Sequence, residues 1–285
     1  MVTDSTASLP AAEARLYRVA VVPLRLLAGE LVADDGDPAT AAIAAAAARG
    51  ERLTTARPSP DRFAAAYRAA ADAGARAVLS VHLSSQLSGT VSSAELAAAT
   101  SPIPVRVVDA QTIGLGLGLA VLAAAAAAAA GQGADEAAAT TMRYAEGIGS
   151  FFAIDAPDAL LAGGRLAGAS ASAGPWAGPP QAALVVRTIM QIRSGQIVTV
   201  DRVRTRAAAA ASLVGLASEF AGRQPVDVGV QHTAAADRAA DLADRLAAAI
   251  PQIRSVYLVE AGLAIRAHTG PGMLGVTVAP HTTGW

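Results

Sequence analysis

Four segments of this chain set hydroxyl, imidazole or guanidinium groups beside glycine or proline turns, where side chains and free backbone N–H groups can meet a ligand. Ser84-Ser85-Gln86-Leu87-Ser88-Gly89-Thr90 leaves an apolar run and leads into a helical pattern. Four hydroxyls at a helix start supply side-chain donors, orphan N–H groups and a partial positive charge, the makings of an anion site. The same pattern also fits a simple cap by Ser85 or Ser88. Thr55-Ala56-Arg57-Pro58-Ser59 precedes another helix and offers Thr55 as a donor or a plain turn-and-cap. His268-Thr269-Gly270-Pro271-Gly272 sets an imidazole and a hydroxyl before a tight turn, and Gly163-Gly164-Arg165 is a turn carrying a cation. Either can equally be structural.

Other chemistries lack their residues. There is no cysteine, hence no disulfide, thiol nucleophile or cysteine-ligated metal. Every cation is arginine, so a Walker A lysine does not exist. No Gly-x-Ser-x-Gly occurs for a nucleophile elbow. Gly114-Leu115-Gly116-Leu117-Gly118 invites a dinucleotide reading, but its third glycine is misplaced and it lies deep in the chain. The four histidines, His82, His232, His268 and His281, are scattered without metal-ligand spacing, so no metal site is expected.

The elements that must hold these groups alternate. Strand patterns are expected at Val19 to Leu27 (ending at Pro23), Ala77 to Leu83 and Val105 to Val108. Helices are expected at Pro38 to Arg49, Pro60 to Gly74, Ser88 to Ala99, Ile113 to Ala130 and Ala134 to Ala145, with a short untyped stretch from Leu53 to Pro58. Such alternation predicts βαβ units and a mainly parallel sheet, with ligands gathering beyond the carboxyl ends of its strands. The second half reads differently. Phe151 to Ile154 is a strand, and Ala167 to Pro180 is a Gly/Pro-rich loop. Leu184 to Ile192 and Gln196 to Arg202 form a hairpin about Ser194-Gly195. Helix Thr205 to Gly222, strand Val226 to Gln231, helix Ala234 to Ala249 and strands Ser255 to Glu260 and Leu274 to Val278 follow. We place a boundary near residue 150, giving an N-terminal α/β domain (1–150) and a C-terminal α+β domain (151–285).

The 285 residues suit two domains. With 22 Arg against 23 Asp+Glu the net charge is −1, no footprint for nucleic acid or an anionic membrane. At 53% hydrophobic and 16% charged the chain has the composition of a folded protein. Alanine makes up about a quarter of it. The apolar run from Ile113 to Ala130 has roughly the length of a membrane span, but its Ala and Gly content suits a buried helix instead. The first residues have no basic region or apolar core of a signal peptide, so a cytoplasmic location is expected.

Taken together, Val2-Thr3-Asp4-Ser5-Thr6, Thr55 to Ser59, Ser84 to Thr90, Gly163-Gly164-Arg165 and His268 to Gly272 resemble, in order and approximate spacing, the motifs TDS(T), TSxPS, SSxLSGT, GGR and HxGPG of the DegV family. The resemblance spans essentially the whole chain. It implies a two-domain α/β fold with a lipid tunnel between the domains, taking one long-chain fatty acid as ligand and no other cofactor. It further implies a non-catalytic subunit that presents the acid's carboxylate to an ATP-dependent fatty-acid kinase subunit for acyl-phosphate formation, feeding phospholipid synthesis. By the same resemblance Thr55, Ser88 and His268 hold the carboxylate, with Arg57, Ser85, Gly89, Thr90 and Thr269 in support. Arg165, Arg202 and Arg204 are candidates for partner contact. The competing reading is a serine-dependent acyl hydrolase using Ser88 and His268. The chain departs from the family at Ala56 and Arg57, at Asp109-Ala110, at Arg187-Thr188 and in the Ala167–Pro180 loop. An arginine at 57 would alter ligand preference or strengthen carboxylate pairing.

Overall fold

A computed structural model describes residues 1–9, 11–155, 160, 164–166 and 186–282. In chain order its strands are β1 (Val2–Asp4), β2 (Ala20–Val22), β3 (Arg25–Ala28), β4 (Leu31–Asp34), β5 (Leu53–Ala56), β6 (Val78–His82), β7 (Val105–Asp109), β8 (Gly149–Ile154), β9 (Arg187–Arg193), β10 (Gln196–Val203), β11 (Val226–His232), β12 (Ile253–Glu260) and β13 (Leu274–Pro280). The helices are α1 (Ala11–Leu16), α2 (Thr40–Ala48), α3 (Pro60–Asp72), α4 (Thr90–Ala98), α5 (Leu115–Ala129), α6 (Ala134–Glu146), α7 (Arg206–Ala221), α8 (Ala236–Ala249) and α9 (Leu263–Thr269).

The described residues form three sheets. One is parallel, in the order β2-β1-β6-β7; one is mixed, β10-β9-β8-β13-β11-β12; one is a small antiparallel sheet, β4-β3-β5. β6 and β11 are buried at every position, as strands covered on both faces must be. Helices α3 and α4 cover one face of the parallel sheet through Phe63, Tyr67, Val78, Ala94 and Ala97. Helices α7 and α8 cover the outer face of the mixed sheet through Leu213, Leu242, Val228 and Val276. Between the two sheets lie α5 and α6, and one continuous core joins Leu79 and Val81 to Leu117, Met190 and Met273.

The composition of α5 explains its place. An alanine-rich helix has no broad side chains, so two sheets can close on it from opposite sides. A Cβ on Gly118 would stand 2.5 Å from the carbonyl oxygen of Ala7. The Gly114–Gly118 run therefore serves close packing, and among the described residues no helix is long and apolar enough to cross a membrane.

Most expected elements appear within a residue or two. The hairpin turn has positive φ at Ser194 (48°) and Gly195 (78°), as its two-residue loop requires. The strand expected from Val19 to Leu27 is two strands in different sheets. Pro23 lacks the N–H that a sheet ladder needs, so β2 ends at Val22 and β3 starts afresh, turning at Gly29 into β4. The stretch left untyped near Leu53 is β5, pairing with β3. The helix expected from Ser88 begins at Thr90, with Gly89 as its N-cap and no side-chain cap bond, so neither Ser85 nor Ser88 caps it. Helices α1 and α9 were not expected. The Ala167–Pro180 loop, Gly163, and Leu184 and Val185 of the expected strand lie outside the described residues.

A closed polar network ties β1 to β6. Tyr67 and Ser80 hydroxyls meet at 2.9 Å, Ser80 Oγ meets His82 Nε2 at 2.7 Å, and His82 Nδ1 meets Asp4 Oδ2 at 3.1 Å. Asp4 also accepts from the Leu83 N–H (3.1 Å), the Thr6 N–H (3.1 Å) and the Thr6 hydroxyl (2.5 Å). Asp4, Ser80 and His82 are fully buried. Buried polar groups are tolerable when each finds a partner, and here they do. Burial pushes the Tyr67 hydroxyl up to about 12, so it stays a donor.

Candidate functional site

A cavity between the two large sheets spans about 930 Å³ of non-atom space, open solvent at its mouth included. Its wall is largely apolar, with Leu83, Ile113, Phe152, Leu160, Ile192 and Met273 among the residues facing it. Polar side chains gather where the small antiparallel sheet, the loop after β6 and helix α9 converge. Thr55, Ser88 and His268 all line the cavity there, with Arg57, Arg165 and Thr269.

Local structure explains why segments so distant in sequence meet. Thr55 sits in β5 opposite Leu26 of β3. Helix α9 packs against both strands, and Ala264 joins the cluster of Leu24, Leu26, Ala28 and Ile43. That packing brings the last turn of α9 over β5, where Thr55 Oγ1 and His268 Nε2 share a hydrogen bond of 2.8 Å. A short helix needs its amino end satisfied from outside. Asp35, at the end of β4, accepts from the N–H groups of Leu263 and Ala264 and from Ser5, while burial raises its pKa above the ordinary carboxylate range.

Ser88 arrives on a separate support. The Ser84 hydroxyl donates to the carbonyl of Gly195 at 2.7 Å, docking the loop on the β9–β10 hairpin, and the Ser88 N–H turns back to Ser84 O. Ser88 Oγ pairs with Thr90 Oγ1 at 2.9 Å. Of the supporting residues, Thr90 is buried and reaches the site only through this pair. Thr269 donates back to Ile265 O within α9. Gly89 leaves room for Arg57, because a Cβ there would stand 2.0 Å from the guanidinium Nη1. Ser85 is exposed, does not line the cavity, and contributes only its backbone N–H to Asp109.

Charge at the mouth is positive. Burial of His268, and then the nearby Arg165 guanidinium, push the imidazole down to about 4, so the ring is neutral at pH 7. Arg165 donates to Leu87 O at 3.2 Å, and burial lowers its own pKa. Arg165 lines the cavity, whereas Arg202 and Arg204 are exposed on and just after β10 and do not line it. Ser88 and His268 are each bonded elsewhere and not to each other, so the pair that a serine hydrolase would need is not formed. Among the described residues no group of three or more His, Asp or Glu is placed to hold a metal ion.

Several lining residues escaped the sequence reading: Thr6, Phe152, Ser150, Gly275 and Thr277. Gly275 borders the cavity, and a Cβ there would sit in ordinary van der Waals contact with Phe151 O, Met273 Sδ and Phe152 Cβ at 3.5 to 3.6 Å, so the position accepts a side chain. A glycine inside the apolar run of β13 was the available signal.

Comparison with known proteins agrees with this architecture. The DegV family matches residues 1–281. A DegV domain-containing protein of Streptomyces coelicolor is 41% identical over 280 residues, 98% of this chain and 97% of its own. One from Mycobacterium tuberculosis is 36% identical, over 98% and 96%. Among solved structures, a DegV family protein from Thermus thermophilus described for fatty-acid binding superposes with a TM-score of 0.87 at 31% identity, covering 98% of both chains. DegV of Bacillus subtilis, described as a fatty acid binding protein, gives 0.85 at 27% identity and the same coverage.

Proposed function

This chain belongs to the DegV family, and on that premise we propose that it binds one long-chain fatty acid in the cavity between its sheets, with the carboxylate at Thr55, Ser88 and His268. The observation that carries the reading is the Thr55–His268 hydrogen bond, set with Ser88 on the wall of a largely apolar cavity. The division of labour follows from magnitudes. About 14 methylenes at ~0.8 kcal/mol each give a gross ~11 kcal/mol of apolar burial. An unpaired carboxylate would cost several kcal/mol against that. Two hydroxyl donors, an imidazole and two guanidinium groups offset the cost and fix which end of the acid faces out.

We further propose that the protein does no chemistry of its own. The acid is held with its carboxylate toward solvent, where an ATP-dependent kinase subunit transfers a phosphoryl group to it and forms the acyl phosphate. Arg165, which lines the cavity, and the exposed Arg202 and Arg204 are the cations offered to that partner. Native mass spectrometry of the purified protein tests the binding step: one fatty acid per chain is expected, and a ligand-free chain that gains no mass with palmitate overturns it. ADP release by an added kinase subunit, dependent on both this chain and palmitate, tests presentation.

A further inference from the structure

The deep wall of the cavity is not uniformly apolar. Ser150 on β8 and Thr277 on β13 face each other across the sheet, and both line the cavity. Their hydroxyls are 3.3 Å apart, long for an O–H···O bond. Both residues are more than nine-tenths buried. Thr112 does not line the cavity but stands beside this wall at Gly116: the oxygens of Thr112 and Ser150 lie 2.6 and 2.9 Å from the point a Cβ on Gly116 would occupy. Thr112 is 4% exposed, and its oxygen has no hydrogen-bond partner. Ser150 and Thr277 bring two donors to the cavity, and the long bond between them uses one. An alkyl chain lying against this wall would leave the other unmet, which costs free energy.

Ser150 and Thr277 stand on the mixed sheet, whereas Thr55, Ser88 and His268 come from the small sheet, the loop after β6 and helix α9. Thr277 stands two residues beyond Gly275 along β13, about 7 Å deeper in the sheet. Gly275 pairs with Gln231 and is the second residue of β13, just past the turn that leaves α9. The polar spot therefore faces the middle of a bound chain and not its head. We propose that the cavity selects long-chain acids bearing an oxygen substituent, a hydroxyl or keto group, at mid-chain, held by Thr277 and Ser150 with Thr112 behind them. This deepens the fatty-acid reading above and rests on it.

Binding of stearate and of a stearate hydroxylated at mid-chain, measured by titration calorimetry on the full chain, tests the proposal. The hydroxylated acid should bind about fivefold more tightly, the worth of one modest hydrogen bond. Thr277→Val keeps the shape and removes the hydroxyl, and Ser150→Ala is a second, smaller change should the first disturb the sheet. Either should bring the ratio of the two affinities to one or below, while a stearate hydroxylated next to its carboxyl should gain nothing from the native wall. Stearate that binds with no preference for the mid-chain hydroxyl overturns this inference alone. Failure of both acids to bind overturns the fatty-acid reading and this one with it.

Discussion

Two clusters in this protein use nearly the same residue types to opposite ends. Around His82, the side chains of Asp4, Thr6, Ser80 and Tyr67 close a network in which each group has its partner, although Thr6 also borders the cavity. Around His268, a threonine, a serine and two arginines stand at a cavity mouth, and the imidazole has one neutral partner, Thr55. The first cluster stabilises the junction of β1 and β6. The second leaves hydrogen-bonding capacity and positive charge directed at open space. Residue type does not separate structural from ligand-binding polar groups here; completeness of the surrounding network does.

The sharpest way to break that contrast is at Asp4. Asp4→Ala strands the His82 ring, the Leu83 N–H and the Thr6 hydroxyl at once. Removing one side of a buried charged network costs about 3 to 5 kcal/mol. The urea midpoint should fall accordingly; a variant of native midpoint would show that the network is dispensable. Next is Gly275→Leu, which tests whether the mouth matters without the void behind it. The new side chain displaces about four methylenes of ligand, some 3 kcal/mol, or a hundredfold in palmitate affinity. Stability should move by less than ~1 kcal/mol, because a Cβ at 275 meets only ordinary contacts at 3.5 Å and beyond and the rest of the leucine enters the cavity. Palmitate binding at native strength would place the chain elsewhere.

Smaller still is the effect at the mouth. Ser88→Ala or His268→Ala each removes one contact to a charged group, about 1.5 to 2 kcal/mol, so palmitate affinity should fall by a factor of roughly ten to thirty. Unfolding free energy should move by less than ~1 kcal/mol, as for substitutions outside the core. A large loss of stability with affinity intact would assign these residues to the same class as His82.

The two clusters also differ in how readable they were. Ser84–Thr90 and Thr55–Ser59 are local patterns at helix starts, so chain order alone marks them. The alternation of apolar runs and helices forecasts the parallel sheet for the same reason. The Asp4–His82 junction joins positions 78 residues apart, and only Ser80 and His82, two residues apart in an apolar strand, hinted that one face carried polar groups. Helix α9 was invisible because its amino end is satisfied by Asp35 of another sheet. His268 thus read as a turn residue, although it sits on the last helical turn. Arg165 read as a surface cation because nothing in its own segment says that Leu87 O is within reach. In each miss the deciding partner lies on a different element.

The smallest expected effect is the dependence on pH, and its sign separates the two histidines. His268 titrates near 4 in the empty protein, against 6.5 for an ordinary imidazole. Between those values the unfolded chain binds more protons than the folded one, so the empty protein loses stability as pH falls through that window. A carboxylate beside the ring offsets Arg165 and favours the imidazolium, raising the pKa of His268 in the complex. The complex then binds protons where the empty protein does not, and ligand binding strengthens as pH falls. At a half-buried site, screening holds the gain to roughly 1 kcal/mol. The rise in thermal midpoint caused by saturating palmitate should therefore be larger at pH 5.5 than at pH 7.5, about one and a half and three and a half pH units above the empty-state value. His268→Gln keeps a hydrogen-bonding group without the titration, so any growth left in that variant reports protonation of the palmitate itself. Equal growth in both proteins would mean that the carboxylate lies away from His268, and the open cluster would then lose its claim to be the head-group site.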